Sequence, residues 1–399
     1  MAPQRVGILT AGGIAPCLSA AVGCLIESYG RLAPAAEILC YRHGYSGLLR
    51  GDFFPVSAEM ARSVGCLATF GGSAIGNSRV KLTNGEDCRR RGLIGEGEDP
   101  QAVAAERISR DGISVLHTIG GDDTNAVAAQ LADRFAVDGR PVAVVGLPKT
   151  IDNDVIPITL TLGADTAAQE SAHFFSHVAN ECTSAPRMLI VHEVMGRHCG
   201  WLTAAAAIRY RSWLDRQEFL PAMGLDRRRW DIHGVYLPEM HWDMGIEIAR
   251  LREVMETVGN VNLFVSEGAG VETIVAEMER EGLDVPRDAF GHVKLDRINP
   301  GKWFGAQLAI HIGAEKTLVQ KSGYFARSSP PNGVDLRLIR ESAELAAASA
   351  LAGQSGVVGL DGERGGKLSL IAFDRIRGGK PYDVGCKEFR QLCKGIGQS

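Results

Sequence analysis

The 399-residue chain lacks any long apolar segment. The nearest approaches, at Trp201–Ile208 and Leu345–Ala352, are short and interrupted, whereas a membrane helix needs about 18 apolar residues in succession. The chain also lacks an excess of positive charge, because 43 basic and 47 acidic residues give a formal net charge of −4. Binding to nucleic acid through its phosphates needs such an excess. We therefore expect a protein that binds neither membranes nor nucleic acid.

Paired cysteines are missing as well. The nine cysteines are scattered, their number is odd, and none forms a CxxC pair, which argues against a disulfide framework. We expect free thiols in a reducing compartment and hence a cytoplasmic protein. Neither GxGxxG nor GxxxxGK[ST] occurs, so a dinucleotide-binding oxidoreductase and a P-loop enzyme are disfavoured.

Glycine, in contrast, is abundant: 48 residues are about 12% of the chain, against a usual ~7%. Apolar runs typical of strands alternate with segments of helical periodicity, which predicts βαβ units and an α/β fold with parallel sheets. The predicted strands are Arg5–Thr10, Glu37–Tyr41, Val115–Ile119, Val142–Leu147, Leu189–Val194 and Asn262–Ser266. The predicted helices are Cys17–Tyr29, Thr124–Phe135, Asp165–Cys182, Asp243–Val258, Val271–Gly282, Gly301–Gly313 and Asp335–Ala352.

No shift in composition marks a domain boundary, so the division rests on where loops gather. We expect one α/β domain over residues 1–163, joined by about 325–350. A second domain is expected over 164–321, joined by about 351–399.

The first candidate ligand loop follows the first predicted strand and contains Gly12 and Gly13 within the sequence TAGGIAP. Two glycines allow a ligand to approach the backbone closely, and the helix that follows presents its N-terminus to an anion. A plain strand-to-helix turn would use the same residues, and both interpretations stay open for this loop by itself.

A second loop, GGDDTN at 120–125, also begins where a strand ends. Its glycines permit close approach of a phosphate, and a carboxylate such as Asp122 can hold a hard cation that bridges phosphate oxygens. The alternative is that Asp123 or Thr124 only caps the next helix.

The third loop, PKTIDND at 148–154, has carboxylates at Asp152 and Asp154 that point the same way in an extended segment. One of them can accept a hydroxyl proton while the other binds or orients a metal, and Lys149 adds a compact cation for phosphate charge. An Asx-type turn is the structural alternative. All three loops lie at carboxyl ends of predicted parallel strands, where open α/β sheets bind ligands, and this favours a phosphoryl-transfer site.

Together, GGDDT at 120–124, PKTIDND at 148–154 and MGR at 195–197 resemble the phosphofructokinase family, most closely its pyrophosphate-dependent branch. The resemblance extends from Val6 to about Gly353. It implies two similar Rossmann-like α/β domains with the active site in the cleft between them. It also implies reversible, Mg²⁺-dependent phosphoryl transfer from pyrophosphate to fructose 6-phosphate, in a homodimer or homotetramer.

The resemblance further implies a role for each matching residue. Asp152 would be the base on the 1-hydroxyl, with Lys149 and Asp123 as further catalytic groups and Asp122 and Asp154 as Mg²⁺ ligands. The residues implied to bind pyrophosphate are Gly12, Gly13 and Arg79. Those implied to bind fructose 6-phosphate are Thr150, Ile151, Asp152, Met195, Gly196, Arg197, Glu267, Tyr324, Phe325, Ala326 and Arg327.

The phosphoryl donor is inferred from two positions. ATP-dependent members of the family carry Gly where Asp123 and Lys149 stand here. A carboxylate at 123 would crowd and repel the α-phosphate of a nucleotide, whereas Lys149 would supply positive charge to pyrophosphate and its leaving phosphate.

Other functions remain as alternatives. An ATP-dependent phosphofructokinase is the nearest, and a lipid or NAD kinase shares only the GGDG-like loop. A non-catalytic regulatory subunit on the same fold would not need the carboxylates of Asp122, Asp152 and Asp154.

Overall fold

The computed structural model describes residues 4–140, 142–287 and 293–398. The chain forms two compact units. The first contains residues 1–167 and 327–380, and the second contains 168–326 and 381–399. The expected division differs from this mainly at 351–380, which belongs to the first unit and was expected in the second.

The secondary structure alternates as the sequence predicts. The β-strands are β1 (Arg5–Thr10), β2 (Glu37–Tyr41), β3 (Phe53–Pro55), β4 (Val115–Gly120), β5 (Ala143–Pro148), β6 (Met188–Val194), β7 (Gly234–Tyr236), β8 (Asn260–Ser266), β9 (Lys316–Lys321), β10 (Gly356–Asp361) and β11 (Lys367–Ile371). The α-helices are α1 (Leu18–Leu32), α2 (Tyr45–Arg50), α3 (Ala58–Ser63), α4 (Gly85–Arg90), α5 (Pro100–Arg110), α6 (Asp122–Val137), α7 (Ala164–Val178), α8 (Trp201–Leu214), α9 (Arg227–Trp230), α10 (Met244–Val258), α11 (Val271–Arg280), α12 (Leu295–Ile298), α13 (Pro300–Ile312), α14 (Gly323–Ser328), α15 (Gly333–Leu351) and α16 (Lys387–Gly395). Short 3₁₀ helices lie at Val64–Thr69, Ala179–Thr183, Pro221–Met223, Gly362–Arg364 and Phe373–Arg375.

The first unit is built on a sheet with the order β11-β10-β5-β4-β1-β2-β3. Its central strands β10, β5, β4, β1 and β2 pair in parallel, and the two edge strands are antiparallel. Every residue of β4 and β5 is buried, as expected for parallel strands that are covered on both faces. Because β10 pairs with β5, residues 356–371 extend this sheet, which explains why 351–380 belongs to the first unit.

The second unit has a parallel sheet with the order β7-β8-β6-β9. All residues of β6 and β8 are buried, and the core between the sheet and the helices contains Leu251, Phe304 and Leu308. Buried β-branched and aromatic side chains in these strands provide the hydrophobic contribution that stabilises the unit.

Helix ends are set by local chemistry. The Asp243 side chain accepts a hydrogen bond from the Ile246 backbone at the start of α10, and Gly259 ends that helix in the left-handed conformation. The Asn332 side chain caps α15 in the same manner. Among the described residues, no helix combines the length and the apolar character that crossing a membrane requires.

Candidate active site

Three predicted ligand loops follow β1, β4 and β5, which are neighbours in the first sheet. The strands are in register, with Thr10 opposite Ile119 and Ile119 opposite Leu147. Consequently the loops leave the sheet at the same level and at the same edge. The Ala11 backbone donates to Ile119 O, and the Lys149 backbone donates to Gly120 O, which ties the loops together.

The loop after β1 has a backbone that requires glycine. Gly12 has φ +90°, and a Cβ there would lie 3.3 Å from Lys149 Nζ. The Asn77 side chain donates to Gly12 O at 2.6 Å, and Gly12 N donates to Ser78 O. The loop is therefore held against the segment around Asn77, which also contains Arg79.

The carboxylates after β4 lie in the first turn of α6. The residue before the helix is Gly121, which has no capping side chain, so the interpretation of Asp123 or Thr124 as a helix cap is wrong. Asp123 instead forms an ion pair with Lys81 at 2.6 Å. Sequence reasoning missed Lys81, whose only signal was its position two residues after Arg79.

Lys149 is buried at the start of the loop after β5, with 4% of its surface exposed. Its ammonium donates to Gly13 O at 2.6 Å, and burial lowers its pKa. This places a fixed positive charge beside the glycines of the first loop. Lys149 and Asp123 have different partners, so the two residues identified with donor choice are held independently.

The TIDND segment folds into a tight turn. Thr150 Oγ1 accepts from Asp152 N at 3.2 Å and donates to the Asp154 carboxylate at 3.1 Å. Asn153, in the left-handed conformation with φ +53°, donates to Thr159 O and accepts from Thr161 N. A hydroxyl turn of this kind fixes the backbone, and Asp152 and Asp154 remain partly exposed.

Ile151, between these polar residues, is 7% exposed and packs inward. Its contribution to the turn is therefore hydrophobic packing.

A cavity of about 270 Å³ lies over the first two loops. It is lined by Gly12, Gly13, Tyr45, Arg79, Val80, Lys81, Asp123, Thr124 and Val127. Two cationic side chains, Arg79 and Lys81, face a glycine backbone there. Such a pocket suits a small, highly charged anion.

The segment that follows the last 3₁₀ helix of the first unit packs against the acidic loops. Ile156 and Arg377 exchange backbone hydrogen bonds, and Lys380 N donates to Asp154 O at 2.9 Å. A Cβ on Gly378 would lie far inside contact distance of the Asp122 carboxylate. Sequence reasoning did not associate this segment with the site.

The carboxylates form a negative patch suited to a hard divalent cation. Burial raises the pKa of Asp122, and the nearby charges of Asp123 and Asp154 act in the same direction. Across residues 4–140, 142–287 and 293–398, no group of three or more His, Cys, Asp or Glu side chains is arranged to hold a metal by itself. A cation here would need water or ligand oxygens to complete its coordination.

In the second unit, the corresponding loops follow β6, β8 and β9, which are again neighbours. Val194 at the end of β6 is opposite Ser266, and Glu193 is opposite Lys321. Each of the three strands thus ends at the same level, as in the first sheet.

The MGR loop, residues 195–197, is bound by its neighbour after β8. Gly196 has φ +128°, its N–H donates to Glu267 Oε1 at 3.4 Å, and its carbonyl accepts from Ser266 Oγ at 2.5 Å. Burial raises the pKa of Glu267. Met195 and Arg197 are half-buried, and Arg197 lines a cavity of about 690 Å³.

The YFAR sequence forms α14, directly after β9. Tyr324 is 80% exposed and Phe325 46% exposed, whereas Ala326 is buried and Arg327 half-buried. The boundary between the two compact units falls after Ala326. Ala326 therefore offers its backbone, while the tyrosine and arginine have side chains accessible to a ligand.

Comparison with known proteins agrees with the motifs. A family model described as phosphofructokinase matches residues 5–332. The chain is 59% identical over 397 residues to the pyrophosphate–fructose 6-phosphate 1-phosphotransferase of Methylotuvimicrobium alcaliphilum, covering 100% of this chain and 97% of the relative. The protein of the same name from Propionibacterium freudenreichii is 55% identical over 395 residues, with 99% and 98% covered.

Solved structures show the same fold. The crystal structure of a pyrophosphate-dependent phosphofructokinase from Nitrosospira multiformis has a TM-score of 0.70 at 17% identity and covers 100% of this chain and 93% of its own. That from Marinobacter aquaeolei has a TM-score of 0.68 at 17% identity, with 99% and 92% covered. Both the α/β fold class and the family resemblance of the motifs are confirmed. The chain belongs to the phosphofructokinase family.

Proposed function

We propose that this protein reversibly transfers a phosphoryl group from pyrophosphate to the 1-hydroxyl of fructose 6-phosphate, giving fructose 1,6-bisphosphate and phosphate. The observation that carries the proposal is the convergence of three loops with glycines, carboxylates and lysine at one edge of the first sheet. The curated relatives that are 59% and 55% identical are named for this reaction.

Pyrophosphate binding would use the cavity over the first two loops. The backbone at Gly12 and Gly13 admits an anion closely, and Arg79, Lys81 and Lys149 supply positive charge around it. The side chain of Asp123 also lines this cavity, where it forms an ion pair with Lys81. The carboxylate adds negative charge and bulk on that side, which favours a donor without a nucleoside.

Asp152 is the proposed base. It takes the proton from the 1-hydroxyl as that oxygen attacks phosphorus, while the bond from phosphorus to the bridging oxygen breaks and its electrons leave with the phosphate. The turn through Thr150 and Asn153 fixes the backbone on both sides of Asp152. Positioning of this kind is the main contribution that a protein makes to phosphoryl transfer.

Mg²⁺ is the proposed metal, with Asp122 and Asp154 as the carboxylates that would hold it. Their oxygens are ligands that this hard cation prefers, and an incomplete protein ligand set agrees with a cation that retains water and binds substrate phosphate. When bound, Mg²⁺ neutralises charge on phosphate oxygens during transfer.

The sugar phosphate would be held by residues after β6, β8 and β9. Arg197, Tyr324 and Arg327 are proposed to bind its phosphate, and Glu267 its hydroxyls. Arginine suits this role because its planar guanidinium donates two parallel hydrogen bonds to a phosphate. We further propose that the protein is cytoplasmic and forms a homodimer or homotetramer. Light scattering on the purified protein would test the oligomeric state.

One assay tests the reaction. Purified protein is mixed with fructose 6-phosphate and Mg²⁺, with pyrophosphate or ATP as donor, and fructose 1,6-bisphosphate is measured. Formation with pyrophosphate, and release of pyrophosphate when fructose 1,6-bisphosphate and phosphate are supplied, would support the proposal. Turnover only with ATP would indicate an ATP-dependent enzyme, and a folded protein inactive with both donors would indicate a regulatory subunit.

A further inference from the structure

Helix α7 carries two histidines that the proposed reaction does not use. His173 and His177 are four residues apart, so both lie on the same face of the helix. Both side chains are exposed, and that of His173 retains 55% of its accessible surface. Their ring centroids are 4.7 Å apart, and the planes of the rings are inclined by 74°.

This spacing is suited to a shared metal ion. With Zn–N bonds of about 2.0–2.1 Å, two imidazoles bound to one ion at an angle of roughly 90–110° have centroids about 4.5–5.2 Å apart. The observed 4.7 Å lies within that interval. Because both side chains are exposed, rotation about their own bonds can turn one nitrogen of each ring towards a common point.

A carboxylate close to His173 can orient its ring for metal binding. Glu170 Oε2 lies 4.0 Å from His173 Nδ1, one turn earlier on the helix, and a small rotation of either side chain would bring the two atoms within hydrogen-bond distance. A proton on Nδ1 facing this carboxylate leaves the lone pair of Nε2 available. Carboxylates that orient a ligating histidine in this manner are common around protein metal sites.

We propose that His173 and His177 form a surface site for a divalent transition-metal ion of the Zn²⁺, Ni²⁺ or Cu²⁺ class, with Glu170 as a positioning residue. Imidazole nitrogen suits these ions, whereas Mg²⁺ prefers oxygen, so the site is chemically distinct from the carboxylates of the first unit. In the described part of the chain no third His, Cys, Asp or Glu completes a cluster, so water fills the remaining positions.

Ring contacts connect the two histidines to α14, the helix that carries Tyr324 and Arg327. The His173 ring lies 6.2 Å from the Phe325 ring, and Phe325 also contacts Phe174 at 5.7 Å. A metal that turns the His173 ring towards a shared coordination point changes its contact with Phe325, which is adjacent to Tyr324 in α14. Metal binding is therefore expected to raise the KM for fructose 6-phosphate, an effect that rests on the proposed function.

Isothermal titration calorimetry of the full-length protein with ZnCl₂ tests the site directly. Because two linked ligands bind more tightly than one, His173→Ala and His177→Ala should each weaken Zn²⁺ binding by about tenfold or more. Glu170→Gln should weaken it by a smaller factor, and millimolar MgCl₂ should not compete. His311→Ala removes another exposed histidine and is the matched control, with unchanged binding expected. Zn²⁺ binding of equal strength in wild type, His173→Ala and His177→Ala would overturn the proposal.

Kinetics separate the site from its coupling. Zn²⁺ should raise the fructose 6-phosphate KM at least twofold in the wild type and leave it unchanged in His177→Ala. If calorimetry shows the site but KM does not respond, the coupling through Phe325 is overturned and the metal site stands. If the protein has no phosphotransferase activity, the proposed function fails, while calorimetry still decides the metal site.

Discussion

The two compact units use the same arrangement of loops in different ways. In each unit, three neighbouring parallel strands end at one level, β5-β4-β1 in the first and β8-β6-β9 in the second. In the first unit, charged side chains are bound within the site: Lys149 to Gly13 O and Asp123 to Lys81. In the second, side chains hold the loop backbone, as Glu267 and Ser266 hold Gly196, and Tyr324 is largely exposed.

This difference indicates a division of work. Charges fixed before the substrate arrives stabilise charge that develops during reaction, so the first set of loops should act mainly on kcat. In the loops after β6, β8 and β9, side chains with accessible charges and hydroxyls would bind a part of the substrate that does not react. These loops should therefore act mainly on KM.

Asp152→Asn should lower kcat by roughly 10²–10⁴, the usual contribution of a general base, with little change in either KM. The amide retains the shape of the side chain and the turn around Thr150, but it cannot accept the proton. Steady-state kinetics with pyrophosphate measure the effect. Asp138→Asn, a change at the far end of α6, is the control, and near-normal kcat in folded Asp152→Asn would remove Asp152 from the mechanism.

Asp123→Gly should raise the ratio of ATP to pyrophosphate kcat/KM by about tenfold to a thousandfold. Like charges ~4 Å apart repel by about 4 kcal/mol at an effective dielectric near 20, and the ion pair with Lys81 offsets part of that repulsion. The ratio is measured for wild type, Asp123→Gly, Lys149→Gly and the double variant.

Since Asp123 and Lys149 have separate partners, we expect their effects on this ratio to be nearly additive in free energy. A wild type that already prefers ATP, or a ratio that Asp123→Gly leaves unchanged, would show that the donor is assigned wrongly.

Arg327→Ala should raise the KM for fructose 6-phosphate about ten- to a hundredfold, because a hydrogen bond to a charged group contributes about 1.5–3 kcal/mol. Tyr324→Phe loses a neutral hydroxyl and should raise it only about fivefold, or ~1 kcal/mol. In both variants kcat should change less than KM. A dominant fall in kcat would contradict the division between the two sets of loops.

Apart from β10, the sequence predicted the central strands and the loops after them, because apolar runs and glycines are local signals. Parallel strands 115–120 and 143–148 are buried on both faces, so their composition alone marks them. The edge strands were missed: β9 is mostly polar, and β7 has only three residues. Residues 351–380 belong to the first unit because β10 pairs with β5, and this long-range contact has no local signal in the sequence.

Prediction of the site from the sequence has the same limit. Asp122, Asp123 and Lys149 were identified from motifs, but the residues that contact them from other segments were not. Lys81 reaches Asp123 from another loop, and Gly378 packs on Asp122 from the far end of the chain. Such contacts follow from tertiary packing, which no spacing within a motif encodes.

Gly378→Ala tests one of these unpredicted contacts. A methyl group there collides with the Asp122 carboxylate, and a clash of this kind costs about 1–3 kcal/mol or moves the carboxylate. We expect kcat to fall about tenfold and the concentration of Mg²⁺ for half-maximal activity to rise. Binding of Mn²⁺, followed by electron paramagnetic resonance with a non-hydrolysable diphosphonate, should weaken in parallel. Gly30→Ala, where a Cβ would have no atom of the described residues within 4 Å, is the control. Equal kinetics in both variants would show that the contact with Asp122 has no role.

At pH 8, the buried histidines give the smallest expected effect, and they contrast the cores of the two units. His192 in β6 is stacked on Phe175 with centroids 5.3 Å apart, and neither of its ring nitrogens has a partner among the described residues. Burial lowers its pKa to about 3. His117 in β4 is also buried, with its pKa lowered to about 4, but its nitrogens meet Tyr29 Oη and Val145 O.

His192→Phe should therefore stabilise the second unit by about 1 kcal/mol at pH 8, because an unsatisfied buried polar group is removed. The gain in the free energy of unfolding should grow as pH falls below about 6.5, because His192 then binds a proton in the unfolded state but not in the folded state. At pH 5 this adds ~2 kcal/mol. His117→Phe should destabilise the first unit at pH 8, since it leaves Tyr29 and Val145 without their partner. All five tryptophans lie in residues 168–326, so urea unfolding followed by tryptophan fluorescence reports the second unit, and circular dichroism follows both. A lower urea midpoint for His192→Phe at pH 8 would mean that tight packing around the imidazole outweighs its missing hydrogen bonds.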